Sequence, residues 1–95
     1  MSAYVIVHVD ITNWEEFQKY IKETPRVTEQ YGGRYVVRAG ETVALEGTPP
    51  AGRTVVIEFP SLQRTKEWYN SPEYQEIKRL REGASTGSII AVEGC

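Results

Sequence analysis

From Ala3 to Ile11 the chain reads AYVIVHVDI, a run rich in β-branched side chains and too short for a core helix. The alternation predicts a strand with Val5, Val7 and Val9 on one face and Tyr4, Ile6 and His8 on the other. Helical spacing then takes over. Trp14, Phe17, Ile21, Thr24, Thr28 and Tyr31 predict the inward stripe of a helix, with Thr12 or Asn13 as its cap. Pro25 in the middle predicts a kink or a break, and Gly32-Gly33 ends the element. Alternation returns in RYVVR (34–38), a second strand, and after the turn AGE in TVALE (42–46), a short neighbouring strand. GTPPAG (47–52) reads as a loop.

RTVVIEF (53–59) predicts the third main strand, with Val55, Ile57 and Phe59 on one face and Val56 and Glu58 on the other. Pro60-Ser61 stops it and caps a helix through LQRTKEWYN; Ser71 and Pro72 restart or kink that helix. Ile77 and Leu80 carry the apolar stripe on to Gly83, and SIIAV (88–92) is the last strand. The order β-α-β-β-α-β predicts an α+β, ferredoxin-like βαββαβ sandwich, an antiparallel sheet with two helices on one face. The other face would carry Tyr4, Ile6, Val36, Val56 and either Ile89/Ala91 or Ile90/Val92. An apolar surface of that extent marks a partner or ligand face, and two such sheets packed together would form a homodimer with a barrel-like centre, a dimeric α+β barrel.

That open face is where an acidic residue inside VVIEF acquires meaning. On the same alternation His8, Arg34, Arg38 and Glu58 all point into the space a dimer would enclose, next to Tyr4. A buried carboxylate needs a cationic partner, and two arginines beside one glutamate leave a surplus whose guanidinium forks suit a carboxylate ligand. Arg34, Arg38 and Tyr4 are therefore the candidate ligand-binding residues, and His8 and Glu58 the candidate acid/base groups for proton transfer beside a carbonyl. The competing reading makes the same residues a structural salt-bridge network in a non-catalytic dimerisation module.

Composition narrows the classes. Ninety-five residues make a single domain spanning 1–95, with 40% hydrophobic and 25% charged residues. A net charge of −2 and scattered basic residues argue against nucleic acid as a partner. Neither a signal peptide nor a membrane span is readable, so a cytoplasmic location and no membrane partner are expected. Cys95 is the sole cysteine and His8 the sole histidine, which leaves no disulfide framework and no usual zinc set. No nucleotide or flavin signature appears, and no cofactor is expected. The aromatic residues Tyr20, Tyr31, Trp68, Tyr69 and Tyr74 read as core, and Lys78, Arg79 and Arg81 as a solvated helix end.

The segments YGGRYVVRAG, LEG, RTVVIEFPS and WYNSPEYQEIKRLR together resemble the small bacterial proteins of the domain of unknown function 1330 family, in the dimeric α+β barrel superfamily. The resemblance runs from about Tyr4 to Gly94. It implies a ferredoxin-like subunit and a face-to-face homodimer. The wider superfamily includes cofactor-independent monooxygenases, lactone isomerases and stress-related proteins, so the resemblance implies no single reaction.

Overall fold

A computed structural model describes residues 1–95. Strand β1 (Ala3–Ile11) leads into helix α1 (Trp14–Gln30), then β2 (Arg34–Arg38), β3 (Arg53–Phe59), α2 (Leu62–Asn70), α3 (Pro72–Lys78), a single 3-10 turn (Arg79–Arg81) and β4 (Ser85–Glu93). The strands form one sheet in the order β2-β3-β1-β4, and every neighbouring pair is antiparallel. This is the ferredoxin-like arrangement, with β1 and β3 at the centre and the helices on one face.

Local chemistry places the helix ends. Asn13, rather than Thr12, caps α1, its side chain accepting the Glu16 N–H at 3.2 Å. Ser61 caps α2 in the same way through Arg64 N–H. Ser71 closes α2 and opens α3: its hydroxyl donates to the Trp68 carbonyl at 2.7 Å and accepts the Tyr74 N–H at 3.1 Å. Pro72 follows at the first helical position, where its missing N–H costs nothing. Pro25 does not break α1 into two segments; the helix runs through it. Buried Phe17, Thr24, Val27 and Thr28 anchor both sides of the proline to the sheet, and that packing outweighs one lost backbone bond.

Two further expectations are corrected by packing. Trp14 is not part of the inward stripe, being 51% exposed, while Val27 is fully buried in it. TVALE forms no strand: Val43 and Leu45 stand 69% and 90% exposed in a loop whose base is closed by Ala39 N–H donating to the Thr54 carbonyl. An alternating pattern gives a strand only where another strand completes its hydrogen bonds, and none lies beside this segment.

The core lies between the helices and the covered sheet face, where Val5, Ile57 and Phe59 meet Val27, Trp68, Tyr74 and Ile77. Trp68 is its hub, with ring centroids 5.0 Å from Phe59 and 4.4 Å from Tyr74. Gly33 is required by this packing, because a Cβ there would lie 2.7 Å from both the Phe59 ring and the Thr28 methyl. The opposite sheet face is open. Tyr4 pairs with Val92 and Ile6 with Ile90, so Ile90/Val92 is the pair on that face. Ile90 is 55% and Val92 45% exposed.

Candidate functional site

Strand β2 carries one residue more than β3 opposite it. Arg34 pairs with Glu58 and Tyr35 with Ile57, but Val37 then pairs with Val56 and Arg38 with Val55. The extra residue is Val36, and a β-bulge of this kind reverses the facing of everything after it. Arg38 therefore leaves the open face and joins Tyr35 on the helix-covered side, its guanidinium 4.6 Å from the Tyr35 ring centroid. The expected single cluster is thereby divided.

Its first part is a clip at one end of the open face. Arg34 donates to Glu58 Oε1 from Nε at 2.8 Å and from its terminal nitrogen at 2.7 Å. Tyr4 donates to Oε2 at 3.3 Å. Hydrogen bonds from Arg34 first, and Ser2 second, hold the Glu58 carboxyl below the usual carboxylate range, and Glu58 in turn raises the Tyr4 phenol. A depressed carboxylate contributes stability that is present above its unfolded-state pKa and is lost as pH falls through its lower folded-state value. Glu58→Gln is thus expected to be less stable than the wild type at neutral pH, with the gap closing in strong acid. Denaturant midpoints measured across that range would show a constant gap if Glu58 gained nothing from its partners.

The second part is His8, whose Nδ1 lies 3.2 Å from the Thr54 hydroxyl. The register pairs His8 with Thr54 and Tyr4 with Glu58, so His8 and Glu58 stand four residues apart along the strands, about 13 Å. They share the open face but lie apart along it.

The third part belongs to a different site. Beneath α1, on the covered face, lies a cavity of about 60 Å³ whose lining includes Phe17, Tyr20, Val55 and Trp68, with Arg38 and Arg53 also on it. Neither arginine has a carboxylate partner: the chain's ion pairs join Lys19 to Glu16, Arg26 to Glu23, Arg34 to Glu58 and Arg64 to Glu67. Arg53 instead lies 5.9 Å from the Trp14 ring centroid. The Trp68 indole N–H is buried and finds no acceptor. Burial pushes the Tyr20 phenol well up and, opposed by the Thr28 hydrogen bond and Arg38, the Tyr35 phenol up as well. Both are neutral hydrogen-bond donors around neutral pH. The arrangement offers an apolar pocket with two cations on its wall, a donor set for an anionic group on an apolar body.

Of these residues, Arg53 was legible in the alternation of β3, where it shares a face with Val55 and Ile57. Tyr20 and Trp68 lie on helix stripes, where periodicity cannot separate core from cavity wall. Arg81 departs from the solvated helix end expected of it: it is half-buried and lies against the Tyr20 ring.

Similar proteins agree with the architecture. RPA0582, a protein of unknown function from Rhodopseudomonas palustris, superposes with a TM-score of 0.78 at 20% identity, covering 99% of this chain and 82% of that one. SnoaB, a cofactor-independent oxygenase from Streptomyces nogalater, gives a TM-score of 0.66 at 10% identity over 99% of this chain and 93% of its own. A dimeric ferredoxin-like protein of unknown function from Bacteroides fragilis gives 0.55 at 13% identity, covering 98% and 95%. At such identities the likeness is one of fold. No curated protein is significantly similar in sequence. The family described as Domain of unknown function (DUF1330) matches residues 2–95, nearly every position from β1 to the last residue, and the chain belongs to that family.

Proposed function

We propose that the protein is a homodimeric binding domain for a small carboxylate with a short apolar body, held beneath α1 with Arg38 and Arg53 gripping the acid group. The observation that carries this reading is the pair of arginines without carboxylate partners on the wall of an apolar cavity. Arg38 is exposed and Arg53 half-buried, so both guanidiniums can meet a ligand entering from solvent, and the bidentate fork suits a carboxylate. Of the open-face expectation, Arg38 keeps a ligand-binding role at this relocated site. Arg34 and Tyr4 serve Glu58, whose oxygens are already engaged. Acid/base chemistry by His8 and Glu58 gains no support from their separation along the strands.

Homodimerisation through the open face rests on its exposed apolar residues, Val37, Ile90 and Val92, and fits the description of the Bacteroides fragilis neighbour as dimeric. No helix is long and apolar enough to cross a membrane.

A thermal-shift series of short-chain and small-ring carboxylates tests the ligand reading. A ligand at a hundredfold excess over its Kd stabilises the folded state by about 2.7 kcal/mol. Arg38→Met removes a charged hydrogen bond worth about 1.5–3 kcal/mol, and so is expected to weaken binding about 10- to 100-fold. Arg34→Met is expected to keep the wild-type shift. Equal shifts for Arg38→Met and wild type would refute the site.

A further inference from the structure

We infer that Arg81 anchors a second pocket, for a small oxyanion, between the 3-10 turn, α1 and β4. The cavity there measures about 220 Å³, and its lining includes Val9, Phe17, Tyr20, Arg81, Ser85 and Gly87. The inference is independent of ligand binding at Arg38.

Arg81 is half-buried, yet no carboxylate lies within ion-pair distance of it. Its polar contacts within the chain are the Tyr74 hydroxyl, 3.5 Å from one terminal nitrogen, and the Tyr20 hydroxyl. A guanidinium carries five N–H donors, and contacts to two neutral phenols leave most of them to other acceptors. A cation partly withdrawn from water without a counter-charge is costly, and an oxyanion would relieve that cost through charge-assisted bonds.

The surroundings hold the group in place. The Tyr20 and Tyr74 hydroxyls are 2.7 Å apart, which ties α1 to α3, and the Arg81 guanidinium rests 5.6 Å from the Tyr20 ring centroid. Strand alternation puts Ser85 on the covered face with Gly87 and Ile89, since their partners are Ile11, Val9 and Val7. The Ser85 hydroxyl is thus available on the side of the sheet that Arg81 faces. A cation, a neutral hydroxyl and open volume favour an oxyanion of phosphate or carboxylate type, with no carboxylate of the chain competing for the cation.

The test follows arginine Nε–H resonances of isotope-labelled protein while inorganic phosphate and, separately, acetate are added. The Arg81 signal is assigned by its loss in Arg81→Lys. A saturable shift of that signal is expected, with the exposed Arg26 and Arg79 signals unmoved. Arg81→Met is expected to weaken the phosphate-induced thermal stabilisation about 10-fold or more in apparent affinity. A shift of Arg81 that merely tracks those of Arg26 and Arg79 without saturating would overturn the inference. Because that measurement uses the wild-type chain, it decides the matter even if Arg81→Met folds poorly. Shifts of the Arg38 and Arg53 signals with apolar carboxylates report separately on the first cavity.

Discussion

Replacing Trp68 by alanine is expected to lower the unfolding free energy by about 3–5 kcal/mol, the range for deleting a large aromatic from a packed core. That is a large share of the roughly 5–15 kcal/mol that holds a domain of this kind together. Trp68 is 1% exposed and lies against Phe59, Tyr69 and Tyr74, so its removal opens a cavity at the hub of the core. Trp68→Phe should behave differently. The indole N–H is buried without an acceptor, a burden of about 1–3 kcal/mol that phenylalanine does not carry. It should retain most of the stability that alanine loses. Denaturant midpoints of the two variants decide the point: equal losses would mean that the phenyl ring restores none of the packing and that removing the unmet N–H brings no relief.

For the proposed open-face homodimer, Val56→Asp is expected to leave a folded monomer. Val56 lies on central strand β3, opposite Ile6 and Val37, on the face away from the helices. A two-fold interface meets the substitution twice and would have to bury two unpaired carboxylates, each costing several kcal/mol. The expected loss in dimer affinity is therefore at least about 1,000-fold. On that proposal sedimentation velocity shows wild-type dimer and variant monomer at equal concentration, with unchanged far-ultraviolet circular dichroism, and a monomeric wild type would refute it. A variant as dimeric as the wild type would move the interface elsewhere.

Both predictions depend on knowing which way a side chain points, and that knowledge came from two levels. Capping by Asn13, Ser61 and Ser71, the order of strands and helices, and the facing of β1 and β3 could all be read along the chain, because they follow from backbone hydrogen bonding and periodicity within a few residues. The apolar open face was legible for the same reason.

The site was less so. Four charged or polar side chains shared a face on paper, but a single extra residue, Val36, shifts the register of β2 and carries Arg38 to the other side of the sheet. Nothing in RYVVR announces that shift, since a bulge is a property of two paired strands. The register between β1 and β3 likewise separates His8 from Glu58 while leaving Tyr4 beside Glu58. TVALE alternates like a strand and stays unpaired for want of a neighbour; Pro25 reads as a helix breaker and is overridden by packing on both of its sides. The amino-acid order thus settled what depends on near neighbours, namely element type, caps and facing within a regular strand. Which charges meet, and whether Arg38 lies beside Glu58 or on the pocket wall beneath α1, depended on how distant strands and helices come together, because register and burial arise only when those surfaces are in contact.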